Sequence, residues 1–137
     1  MRLDLYQAET ARIASEQGAL LAQAKAILAQ GRPLTPLEQG GVLHALQVLI
    51  ENAIGKAKQL LKAHNQSVPV SAYDAFTALA NCGLLAQIDV AAWNAVVGLR
   101  NRIVHGYMNI DMGQVIAMVL AGRDQFIVDF LIRPFDS

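Results

Sequence analysis

One stripe of apolar side chains constrains this chain more than any other feature. Leu46, Leu49, Ile50, Ala53, Ile54, Ala57, Leu60 and Leu61 recur at three- and four-residue intervals, with Gln47, Glu51, Lys58 and Lys62 off the stripe. That period belongs to one face of an α-helix. Its start is written just upstream in Thr35-Pro36-Leu37-Glu38. Thr is a good N-cap, Pro suits the first helical position, and a Glu three residues after the cap completes a capping box. Gly40-Gly41 near the start and Gly55 inside the stripe each cost about 1 kcal/mol relative to Ala. Close backbone packing is one reason for such a cost, and sequence alone does not choose it.

Helical spacing continues on both sides of the stripe. From Leu3 to about Gln30, Tyr6, Ile13, Leu20, Ala24 and Ile27 mark one face, and Gly31-Arg32-Pro33 stops the helix, since Gly suits the position past a helix end and Pro cannot continue one. After the polar connection His64–Pro69, Ser71-Ala72-Tyr73-Asp74 opens a short third helix that Gly83 ends. Asp89 is expected to cap a fourth helix carrying Trp93, Val96, Val97, Arg100, Ile103, Val104 and Tyr107. A fifth is expected after Asn109-Ile110-Asp111, running through Val115, Val119, Phe126 and Phe130 to Leu131, with Pro134 ending the pattern. No run alternates with period two and no hairpin turn joins two apolar runs, which excludes a strand-based architecture. The expectation is an all-α, single-domain bundle of four to five helices over residues 1–137, with helices as antiparallel neighbours.

Composition narrows the function classes. Hydrophobic residues make up 54% of the 137-residue chain, above the roughly 45–50% usual in soluble domains. An apolar excess over what one copy can hide points to a homodimer. Eleven basic and eleven acidic side chains give zero formal charge, so any contact with nucleic acid must be local. Cys82 is the single cysteine, and Met1-Arg2-Leu3-Asp4 leads into a polar helix. A soluble, cytoplasmic protein without membrane span is expected. No Cys/His spacing suggests zinc and no carboxylate cluster suggests another metal, so neither metal nor cofactor is expected. His44 and His64 read as surface or helix-end histidines.

The fourth helix contains a conflict. At about 100° per residue, Arg100 falls in the middle of the apolar stripe, flanked by Val96, Val97, Ile103 and Val104, with Tyr107 almost in line. A guanidinium there needs an anion, because it does not lose its proton and an unpaired buried charge costs several kcal/mol or more. Glu51, Asp74, Asp111 or a substrate phosphate are the candidate partners. Asn101 and His105 share a different face, with His105 about 140° round the helix from Arg100. Either the helix ends or distorts between Ile103 and Gly106, or a composite pocket forms in which two subunits each bring an Arg100 and a His105.

The pattern Arg100-x4-His105-x-Tyr107, with Asn101 directly after the Arg and the pair Ile103-Val104 inside it, resembles the HEPN superfamily and most closely the HepT toxins. Helix two, with Leu46-Gln47-Val48-Leu49-Ile50-Glu51 and Lys56, also looks like its counterpart there. The resemblance implies a metal-independent endoribonuclease toxin of a toxin–antitoxin pair, with Arg100 and His105 catalytic in a dimer-interface cleft. An imidazole, with an ordinary pKa of about 6.5, can activate a 2′-hydroxyl or protonate the leaving oxygen, while Arg100 stabilises phosphate charge. Asn101 and Arg102 would support substrate, and Tyr107 is implied to accept AMP from a cognate MntA-type nucleotidyltransferase antitoxin. Lys56, Lys58, Lys62 and Arg102 are readable as an RNA-facing patch or as ordinary solvated helix faces. The competing reading is a non-catalytic, nucleotide-binding or substrate-positioning partner subunit of a nucleotidyltransferase.

Overall fold

The computed structural model describes residues 3–106 and 109–135. It contains six α-helices: α1 (Leu3–Ala29), α2 (Pro36–Ala63), α3 (Ala72–Asn81), α4 (Val90–His105), α5 (Met112–Leu120) and α6 (Arg123–Ile132). A 3₁₀ turn, Gln87–Asp89, leads into α4, and no strand occurs among the described residues. The all-α expectation is met with one helix more than foreseen. The predicted fifth helix breaks in two at Ala121-Gly122, where Gly122 takes φ 79°. That left-handed conformation is open to glycine and reverses the chain between two apolar segments of continuous helical period.

α2 is the central helix, packed against α1, α3, α4 and α6. Its stripe is buried as the sequence predicts, from Leu46 to Leu61. The capping box is formed: Thr35 accepts from the Glu38 amide at 3.2 Å while the Glu38 carboxylate accepts from the Thr35 amide at 2.8 Å. Arg32 adds a two-pronged ion pair to Glu38 and, with the Thr35 amide, holds that carboxylate well below the usual range, at about 2. Of the glycines in α2, only Gly55 has a packing reason. A methyl group there would stand 3.2 Å from the Tyr6 hydroxyl of α1, whereas Gly40 and Gly41 have open space around them.

Two expectations need correction. The buried face of α1 is Thr10, Ala14, Leu21 and Ala24; of the expected stripe Ala24 is buried and Ile27 packs on the core, whereas Leu20 is exposed. α1 lies against both α2 and α6, and a methyl group on Gly18 would make an ordinary van der Waals contact, 3.6 Å from Val128 of α6. Lys56 faces no RNA, because it is fully buried. Its ammonium donates to the carbonyls of Phe130 at 2.7 Å, Leu131 at 3.3 Å and Arg133, over the rings of Phe130 and Phe135. Those carbonyls close the last turn of α6, where intrahelical donors run out and positive charge is favoured.

An aromatic cluster joins α3, α4 and α6 within the core. Phe76 of α3 stacks on Trp93 of α4 at a centroid distance of 4.3 Å, and Phe126 and Phe130 of α6 lie 4.8 and 4.9 Å from Trp93. Each such pair adds about 0.5–1.5 kcal/mol beyond area burial. The cluster fixes the buried face of α4, which settles where its functional side chains go.

Burial and the nearby Arg133 charge lower the Lys56 pKa to about 8, so the side chain is still a cation at neutral pH. Lys56→Met, which leaves the three α6 carbonyls without their donor, is expected to cost about 2–4 kcal/mol in urea unfolding. Between about pH 8 and 10 the folded protein has released a proton that the unfolded chain still holds, so stability rises with pH in that window. A rise on the order of 1–3 kcal/mol is expected for the wild type, and a flat profile for Lys56→Met.

Candidate active site

α4 carries every described candidate residue, and its ends explain their placement. At the start, Asp89 makes no side-chain cap, because the 3₁₀ turn already runs into the helix with Asp89 at φ −86° and ψ −9°. A cap side chain works from an extended backbone, which Ser71 and Asp111 adopt at α3 and α5. At the far end α4 remains helical through His105, and the Gly106 amide closes it on the Arg102 carbonyl at 2.9 Å. Arg102 and His105 thus occupy the last turn, where cations suit the helix dipole.

α4 ends at His105, inside the stretch where the sequence allowed an end, but it is regular helix up to that residue, so the ending does not turn His105 toward Arg100. Within α4, Arg100 and His105 stay about 140° apart. Arg100 is half-buried on the side of Val96, Val97 and Ile103, which are buried, while Val104 is exposed. Its Nε is shielded from solvent and has no acceptor among the described residues. None of the expected carboxylates pairs with it: Asp111 caps α5 by accepting from the Gln114 amide, Glu51 accepts from Gln47, and Asp74 makes no ion pair. Asn101 is half-buried, and Arg102 and His105 are exposed. Tyr107 lies outside the described residues.

A cleft of about 770 Å³ opens between α4 and α5. Its walls are mainly apolar, including Val96, Leu99, Val115, Met118 and Phe126, with Arg102 and Asp111 also lining it. Of the described candidate residues only Arg102 reaches it; Arg100 and His105 do not. The lysine patch dissolves, since Lys56 is buried and Lys58 donates to the Val70 carbonyl at 2.8 Å, leaving Lys62 and Arg102 on separate helices. His64 closes the C-terminus of α2, with Nδ1 3.0 Å from the Leu60 carbonyl, and His44 is exposed.

Tyr73 is the residue that sequence reasoning passed over, treating it as part of a helix start. A methyl group on Gly98 would stand 3.5 Å from the Tyr73 hydroxyl and 3.6 Å from Arg102 Nη1. Contact between α3 and α4 places it there, and no local spacing signals such a meeting.

Comparison with known proteins agrees with this architecture. The family model described as "Ribonuclease HepT-like" matches residues 22–127. A toxin–antitoxin complex solved with AMP-PNP is similar at 21% identity and TM-score 0.77, over 92% of this chain and 97% of that one. The tri-AMPylated Shewanella oneidensis HEPN toxin in complex with its MNT antitoxin is similar at 23% identity and TM-score 0.78, over 91% of this chain and 95% of that one. A comparison with curated protein sequences returned no match.

The unpartnered Arg100 generates a stability prediction. A half-buried cation without an acceptor does not hold the fold together, and an apolar side chain of similar length removes its desolvation cost. Arg100→Met is therefore expected to leave urea-unfolding stability within about 1 kcal/mol of wild type or to raise it. A loss of several kcal/mol would mean that Arg100 is structural.

Proposed function

Because the chain belongs to the HepT-like ribonuclease family, we propose that it is the endoribonuclease toxin of a toxin–antitoxin pair, working as a homodimer. The observation that carries the composite site is the unbroken end of α4. It keeps the Arg100 and His105 of one copy on different faces, so two copies related by a two-fold axis bring the groups together.

In that cleft one His105 imidazole removes the proton from a ribose 2′-hydroxyl. The 2′-oxygen attacks phosphorus, the 5′-oxygen leaves and takes a proton from water, and the His105 imidazolium releases its proton to solvent. The products are a cyclic 2′,3′-phosphate and a free 5′-hydroxyl. Arg100 stabilises the charge that builds on the phosphate oxygens, its guanidinium presenting planar N–H donors to an anion. This gives the unpartnered Nε an acceptor in the substrate complex. Asn101 orients the phosphate or the imidazole, and Arg102 contacts the RNA backbone. The reaction needs no divalent metal, and DNA, lacking the attacking hydroxyl, resists.

Tyr107 is the regulatory residue of this reading. A cognate MntA-type nucleotidyltransferase antitoxin transfers AMP from ATP to its phenolic oxygen, releasing pyrophosphate. The adduct sets a bulky anion beside Arg100 and excludes RNA phosphate.

Mixing two inactive variants tests the composite site. Arg100→Ala and His105→Ala homodimers are each expected to lose metal-free RNA cleavage. After subunit exchange, each heterodimer regains one intact site, restoring up to about a quarter of wild-type activity. No recovery would rule out the two-subunit arrangement. For the regulatory step, incubation with the antitoxin and ATP is expected to add the mass of AMP, and Tyr107→Phe to prevent it.

A further inference from the structure

Gly98 lies inside α4, where glycine costs about 1 kcal/mol relative to alanine. The fold does not demand it. Its φ is not in the left-handed region, and a methyl group there would meet its neighbours only at ordinary van der Waals distances, 3.5 and 3.6 Å. Those two neighbours are both hydrogen-bond donors, the Tyr73 hydroxyl and Arg102 Nη1. They face the same point and so lie no more than about 7 Å apart. Among the described residues neither side chain has a hydrogen-bond acceptor or a carboxylate partner.

The position of this notch relates it to the proposed chemistry. Gly98, Arg102 and His105 stand at i, i+4 and i+7, the spacing of one helical face. Gly98 and His105 are about 10 Å apart along the axis of α4. Tyr73, 39% exposed, reaches over from α3. Two donors converging on a bare stretch of helix backbone suit an anion with several acceptor oxygens that has to approach closely.

We infer that Tyr73, Gly98 and Arg102 form a subsite for a phosphate of the RNA strand next to the one being cleaved. Tyr73 donates its hydroxyl to that phosphate, Arg102 neutralises it, and Gly98 leaves room for it against the helix. Tyr73 is a substrate-positioning residue, placing the scissile phosphate at His105 through its hold on the neighbouring one. This rests on the ribonuclease reading above and adds to it a residue outside the Arg100–Tyr107 segment.

The test measures binding of a short fluorescein-labelled single-stranded RNA of mixed sequence to the full-length His105→Ala protein by anisotropy. In that background Tyr73→Phe is expected to raise Kd about 5- to 10-fold. Arg102→Ala should weaken binding and lower the slope of log Kd against log salt by roughly 0.7. Gly98→Ala should raise the melting temperature, as a better helix former, and weaken RNA binding nonetheless. If His105→Ala binds RNA and the Tyr73→Phe and Gly98→Ala forms match it, the subsite is wrong and the ribonuclease reading stands. If Tyr73→Phe loses stability and affinity together while Gly98→Ala binds normally, Tyr73 is structural and the subsite is again wrong. If His105→Ala binds no RNA, both readings fall.

Discussion

The ammonium of Lys56 lies where the central helix meets the end of the chain, and much of the structure depends on that contact. It is a fully buried cation on α2, and no carboxylate among the described residues neutralises it. Three carbonyls at the end of α6 accept its protons instead. Removing such a cation from water costs several kcal/mol, which good hydrogen-bond geometry must offset. The carbonyls of a helix C-terminus supply it, since their dipoles converge and their intrahelical donors are missing. One side chain thus satisfies a helix end in the core and fixes the position of α6 against α2.

With α6 held in this way, Phe126 and Phe130 meet Trp93 of α4, and Trp93 stacks on Phe76 of α3. That cluster sets the rotation of α4 about its own axis. Rotation in turn decides that Arg100 points toward the core side, that His105 stands exposed at the helix end, and that Gly98 faces Tyr73. The contact at Lys56 is therefore structural support for a site to which it contributes no atom. The Arg32–Glu38 ion pair on the capping box plays a comparable part for α2 alone, fixing where the helix begins.

Arg100 and Lys56 are a useful contrast. Both are cations on buried helix faces, yet the sequence singled out only Arg100 and grouped Lys56 with the solvated lysines. Lys56 has its acceptors within the same chain, so its burial is structural. Arg100 has none among the described residues, and its Nε is shielded from water. A protein that keeps a permanent charge there carries a cost that folding does not explain. In the proposed complex that cost is relieved by the substrate phosphate.

Local chemistry made much of the architecture legible. Thr35, Pro36 and Glu38 placed the start of α2, Ser71 placed that of α3, and the stripe from Leu46 to Leu61 identified the buried face of the central helix. These signals act within a few residues, where capping and periodicity are decided. The motif from Arg100 to Tyr107 likewise pointed to a family and a reaction. What sequence missed lay between elements or in backbone detail: the rotation of α1, which depends on its packing against both α2 and α6, and the break at Gly122, where an uninterrupted apolar period hides a left-handed residue. The burial of Lys56 and the meeting of Tyr73 with Arg102 over Gly98 were decided only in three dimensions, because each joins side chains whose partners lie many residues away. Sequence by itself determined an all-helical chain with a cation on the wrong face of one helix; tertiary packing decided which cation is satisfied and which has no acceptor among the described residues.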